Sequence, residues 1–121
     1  MNTLKITSKV LKSLSEENRL RIAIMLLKRN LCVCEINEVL HIALSTISAH
    51  LKNLKYSGVI EDCKEGRWVV YKLTDNQEIR NFVKYLYESV KEDKTIKEDL
   101  SKIDEIDRYS CSTQSTKSEN A

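Results

Sequence analysis

Two cysteines one residue apart, Cys32-Val33-Cys34, are the residues of this 121-residue chain best suited to chemistry. On a regular helix each residue turns about 100°, which would aim the two thiols about 200° apart and stop them sharing an ion. They can share one where the segment is extended or just entering a helix. The pair stands immediately before a short helical pattern, where the helix dipole and Arg/Lys neighbours favour the thiolate. Thiolates select soft ions. Two sulfurs make an incomplete site, and a trigonal three-sulfur site needs one more donor. Cys111 and Cys63 are the candidates. Against this, Cys63 also fits a small packed side chain, and Cys111 has no packing role in view. A thiol redox pair is the other chemistry these residues allow.

A second constellation is polar rather than reactive. Ser45, Thr46, Ser48, His50, Lys52 and Asn53 share one side of a helical segment whose other side carries Ile47, Leu51 and Leu54. Short hydroxyls and an amide suit base edges, and Lys52 and Lys55 suit phosphates. His50 suits a phosphate or base contact, or a cap on a neighbouring element. Lys64 and Arg67 flank Glu65-Gly66 and place two cations on a tight turn. Trp68 and Tyr71 read as packing within that hairpin.

The elements that must position these groups follow from periodicity. Leu4 to Leu14 has an amphipathic stripe. Ser13 with Glu16, or Ser15, caps a second helix over about 16–29, apolar on most sides and so central to the core. Asn30 to Cys34 breaks the pattern. Glu35 to Leu40 forms a short third helix, residues 41–43 a turn, and Ser45 caps a fourth helix that ends near Gly58. The period then changes to two: 59–64 and 67–73 form a β-hairpin. Thr74 and Gln77 make a capping box for a long helix with Ile79, Phe82, Val83, Leu86 and Val90 on one stripe. The charged chain beyond Asp93 continues as helix to about Ile106. The Ser/Thr-rich end from Ser110 is expected to be disordered. This divides the chain into a domain over 1–93 and a tail over 94–121. The fold class is mainly α with a small β-hairpin, a winged helix-turn-helix in the order α-α-α-α-β-β-α. The apolar stripes of the first and last helices exceed what so small a core can use. They predict a homodimer with recognition helices about 34–36 Å apart.

Composition excludes several classes. There is no proline and there are only 2 glycines, which rules out a Gly-rich phosphate loop or a β-sandwich. No apolar run approaches the ~20 residues of a membrane span, and no signal core stands at the start, so a cytoplasmic protein is expected. There the thiols serve metal or redox chemistry rather than disulfides. No His or carboxylate accompanies them in a catalytic pattern, so no catalytic residues are assigned and no enzyme is expected. Residues 1–94 carry 16 Lys/Arg against 12 Asp/Glu, and 95–121 carry 4 against 6. The positive part contains the acid-free stretch Val39–Ile60, which suits a polyanion such as double-stranded DNA.

Leu31-Cys32-Val33-Cys34-Glu35-Ile36, Ser45 to Leu54 with its Ser-Ala-His-Leu-Lys, Gly58-Val59-Ile60 and Lys64 to Leu73 resemble the ArsR/SmtB family over about residues 4–92. The resemblance implies a homodimeric winged-helix repressor that leaves its operator when a metal binds. It also implies Cys32 and Cys34 as ligands. Three departures bear on which ion. Arsenic repressors of the family place a third cysteine where Asn37 stands. Cadmium/lead sensors draw cysteines from the N-terminal arm, and residues 1–31 contain none. The zinc-type site on the final helices uses His, yet none follows His50, and Gln77, Glu88 and Lys91 stand in that region. Because some relatives recruit tail cysteines, Cys111 is the leading third ligand and Cys63 the lesser one. Three sulfurs fit As(III) or Sb(III) as inducer; Cd, Pb and Zn are the alternatives, as is an oxidant or persulfide signal.

Overall fold

A computed structural model describes residues 1–109. Six helices surround a small sheet in the order α1 (Leu4–Leu14), α2 (Glu17–Lys28), β1 (Leu31–Cys32), α3 (Val33–Leu40), α4 (Leu44–Tyr56), β2 (Ile60–Glu65), β3 (Trp68–Leu73), α5 (Gln77–Val90) and α6 (Lys94–Glu105). This is the winged helix-turn-helix: α3 and α4 form the helix pair, and β2–β3 the wing.

The apolar positions explain the arrangement. Helix α2 buries Ile22, Ala23, Ile24, Met25 and Leu26, and α1, α4, α5, α6 and β3 all pack on it. Removing a Leu- or Ile-sized side chain from water is worth about 1.5–3 kcal/mol. This one helix therefore anchors much of the core, alongside Val10, Leu31, Ile36, Ile47, Leu54, Leu73 and Val83. Left-handed His41 (φ 52) ends α3 and allows the sharp turn into α4. Gly58 (φ +84) and Gly66 (φ +63) occupy positive-φ positions, the first releasing α4 toward the sheet and the second closing the hairpin.

Several boundaries differ from the sequence expectation. The hairpin is part of a three-stranded antiparallel sheet, β1-β3-β2, because Leu31 and Cys32 pair with Tyr71 and Val70. Helix α3 starts at Val33, not Glu35. Helix α4 begins at Leu44 after Ala43, which offers no side-chain cap, so Ser45 lies in its first turn. Glu16 caps α2, accepting from Arg19 N at 2.9 Å. Asn76 caps α5, accepting from Ile79 N at 3.1 Å, while Thr74 donates to Glu61 instead.

The charged segment after Asp93 forms its own helix. Asp93 accepts from Thr95 N and Ile96 N, α6 packs along α2 and α3, and Ile96, Asp99 and Ile103 are buried. Arg21 fixes it there, donating to both carboxylate oxygens of Asp99 at 2.8 Å. Among the described residues no helix is long and apolar enough to cross a membrane. Leu4, Ile6 and Leu11 of α1 and Tyr85 of α5 remain exposed.

Candidate functional site

Cys32 closes β1 and is also the residue from which α3 starts, with extended backbone (φ −90, ψ 169). Cys34 lies in the first helical turn. This junction defeats the 100° rotation of a continuous helix: the two sulfurs turn to one side and lie 3.0 Å apart in an S–H···S contact. Both are buried, and Trp68 of β3 packs on them.

Glu35 shapes the junction. Its Oε1 accepts from Cys32 N at 2.9 Å, returning from the third helical position to the helix start as in a capping box. Its Oε2 accepts from Arg29 Nη1 at 2.9 Å. Arg29 also donates through Nη2 to the carbonyls of Ile103 (3.1 Å) and Ile106 (2.8 Å). A continuous set of hydrogen bonds thus joins the end of α6 to the backbone of Cys32. Sequence reasoning missed Glu35 and Arg29; the spacing Cys32-x-x-Glu35 is the signal that could have found the former.

The expectation of an activated thiolate is corrected by this geometry. Burial, followed by the hydrogen bond with Cys34, pushes the Cys32 thiol up to about 12. Enclosure outweighs the backbone hydrogen bond that opposes it, and Cys32 is a protonated thiol at neutral pH.

Among the described residues no cluster of three or more His, Cys, Asp or Glu side chains forms a metal site. Cys63 is exposed and sits opposite Val70, the residue that on its other side faces Cys32. Cys32, Val70 and Cys63 therefore form one row across the sheet. Two strand spacings of about 4.8 Å separate the cysteine backbones, so Cys63 lies apart from the pair. Cys111 lies outside the described residues.

On α4, Ser45, Thr46, Ser48 and Lys52 are exposed on the side away from buried Ile47, Leu51 and Leu54. Three other candidates have intramolecular partners. Asn53 Oδ1 accepts from Ser13 Oγ at 2.8 Å. Lys55 pairs with Asp62 at 2.9 Å. His50 is turned toward the start of α2, with Nδ1 3.4 Å from Arg19 Nη1 and Nε2 3.7 Å from Glu16 Oε1. Arg19 can only donate, so in this contact Nδ1 is the accepting atom. Lys64 and Arg67 are exposed on the wing, with the Arg67 guanidinium 4.8 Å from the Trp68 ring centre.

Comparison with known proteins agrees with this architecture. The sequence profile described as "Bacterial regulatory protein, arsR family" matches residues 16–62, from the start of α2 into the wing. The chain is 41% identical over 69 residues to a "Cadmium resistance transcriptional regulatory protein CadC homolog" of Staphylococcus aureus, covering 56% of this chain and 57% of that protein. It is 35% identical over 65 residues to the "Arsenic resistance transcriptional regulator ArsR1" of Pseudomonas putida, covering 53% and 51%. The chain thus spans little more than half the length of these curated relatives. Reduced HlyU from Vibrio cholerae has a similar structure, with a TM-score of 0.64 at 31% identity over 69% of this chain and 87% of that one. The protein is a member of the arsR family of bacterial regulatory proteins.

Proposed function

We propose that this protein is a homodimeric DNA-binding repressor that senses a thiophilic metal or metalloid through Cys32 and Cys34 and releases its operator when the ion binds. The observation that carries the reading is the 3.0 Å separation of two buried sulfurs beside the helix pair of a winged helix-turn-helix. Two convergent sulfurs suit a soft ion. The relatives' names point to cadmium and to arsenic; the donor set favours As(III) or Sb(III) over Cd, Pb or Zn. Three sulfurs complete a trigonal site, whereas tetrahedral ions need a fourth ligand.

Cys111 is the preferred third donor. Tyr109 rests against Trp68 with ring centres 5.0 Å apart, and Trp68 packs on the pair. Cys111 follows Tyr109 by two positions in the sequence and lies outside the described residues. Cys63 is the lesser choice, being two strands away. Arsenous acid takes three thiols as As(OH)3 + 3 RSH → As(SR)3 + 3 H2O, the thiol protons leaving as water, so its affinity is flat in pH while the thiols are protonated; a divalent cation displaces the protons instead, and its affinity rises with pH.

Ser45, Thr46, Ser48 and Lys52 face DNA from α4, with Lys64 and Arg67 on the backbone from the wing. Asn53, Lys55 and His50 would have to exchange their present partners to join them. The exposed apolar side chains of α1 and α5 support a dimer built on those helices. Ion and DNA then bind two states of one dimer, and each weakens the other by the same factor.

Fluorescence anisotropy on the promoter of its own gene tests the reading. Arsenite, antimonite, cadmium, lead and zinc are titrated under reducing conditions. Selective release by arsenite or antimonite, lost in Cys32→Ser and Cys34→Ser, is expected. Release by oxidant or polysulfide alone would replace it with the thiol redox reading.

A further inference from the structure

Three parts of the chain meet at Trp68. The thiol pair packs on its ring. Tyr109 approaches edge-on, with the planes 82° apart. The Arg108 guanidinium lies 5.8 Å from the ring centre and donates through Nη1 to Glu65 Oε1 at 3.0 Å, at the end of β2 beside the wing turn. The chain enters this position from Ile106, whose carbonyl is pinned by Arg29 at 2.8 Å. The same Arg29 holds Glu35, which holds Cys32 N. Residues 106–109 are thus fastened at one end to the thiol junction and at the other to the wing.

The two fastenings differ in strength. Arg29, with a side chain 35% exposed, donates to Glu35, which is 1% exposed, and to the carbonyls of Ile103 and Ile106. Tyr109 is 68% exposed, and Arg108 and Glu65 have side chains 22% and 48% exposed. An ion pair with a half-exposed acceptor and an edge contact to an exposed ring are weaker than bonds to a fully buried carboxylate, so the outer end opens more readily than the inner one. The inner end then serves as a hinge at Ile106.

We propose that residues 106–109 are a lid over the Cys32–Cys34 pair, closed by Arg108 on Glu65 and Tyr109 on Trp68, whose opening admits reagents to the thiols. In the closed arrangement Arg108 and Tyr109 lie against Trp68, which packs on the pair, and Arg108 reaches the wing at Glu65. The consequence for sensing rests on the ion-binding role proposed above: an ion reaching the pair must pass a segment that also holds the wing through Glu65. The lid itself concerns only thiol access, and its test needs neither ion nor DNA.

The full chain is pulsed with iodoacetamide under reducing conditions, and alkylation at each cysteine is followed by mass spectrometry. Arg108→Ala/Tyr109→Ala is expected to raise the rate at Cys32 and Cys34 about tenfold, because local opening limits access to buried groups. Cys63 is already exposed and keeps its rate. Tyr109→Phe retains the ring and the slow rate. Unchanged rates at Cys32 and Cys34 in the double variant would overturn the lid. So would a rise accompanied by a lowered urea midpoint, since that reports general loosening. Failure of wild-type protein to bind arsenite, with the rate difference intact, would defeat the ion reading and leave the lid standing.

Discussion

Replacing Asp99 by alanine tests whether α6 is a docked part of the domain. The Asp99 side chain is 3% exposed and receives two hydrogen bonds of 2.8 Å from Arg21, whose side chain is 23% exposed. Removing one partner of a fully buried pair costs about 3–5 kcal/mol, because a charge is left without compensation. Here two features lower the cost. Arg21 keeps Asn18 Oδ1 at 3.1 Å, and water reaches its open side. About 2–3 kcal/mol is expected, with Asp99→Asn below that because the amide oxygen still accepts one bond. Arg21→Lys loses the two-pronged geometry and falls in the same range. Urea unfolding followed by circular dichroism at one fixed protein concentration gives the value; the concentration matters because a dimer's stability depends on it. Hydrogen exchange adds a local readout. As α6 loosens, Arg29 loses the carbonyls of Ile103 and Ile106, and the amides at the start of α3 exchange faster. A loss below about 0.5 kcal/mol, the size of an ordinary surface substitution, would refute the reasoning and make α6 an appendage.

Three other outcomes follow from the same geometry. Because the folded Cys32 thiol stands at about 12 against an ordinary 9.0, the folded state keeps a proton that the unfolded chain loses. Tm should therefore hold steady below about pH 9 and fall as pH rises toward 12, and Cys32→Ser should flatten that slope. Gly58→Ala meets no atom within 4 Å but must adopt φ +84; a loss of about 1 kcal/mol in urea unfolding is expected from backbone strain alone. Lys52→Ala and Lys64→Ala should each weaken operator binding at low salt and reduce the slope of log K against log salt by about one, as for a lost phosphate contact; an unchanged slope would take that residue off the interface.

Much of the site was legible without coordinates. The Cys-x-Cys spacing at a break in helical periodicity marked the thiol pair, and Ile47, Leu51 and Leu54 set which side of α4 faces outward. Those readings rest on local period and side-chain type. What escaped was long-range. Leu31 and Cys32 are too short a run to announce a strand, and they become one only because β3 offers an edge. The caps went to Glu16 and Asn76 instead of the expected hydroxyls because the helices start where packing places them. The charged surface of α6 hid Ile96, Asp99 and Ile103, whose burial depends on Arg21 some 78 positions earlier in the chain.

The sequence by itself determined the winged helix-turn-helix order, the family resemblance and the two cysteines, because each is written in neighbouring residues. Tertiary structure decided their chemistry. The strand-to-helix junction aims both sulfurs one way. Enclosure under Trp68 keeps Cys32 protonated against the helix-start effect that sequence reasoning favoured. Packing, too, turns His50 and Asn53 toward α1 and α2 and lays Arg108 and Tyr109 across the wing. Burial and pairing depend on which distant segments come together, and short-range pattern carries no record of that.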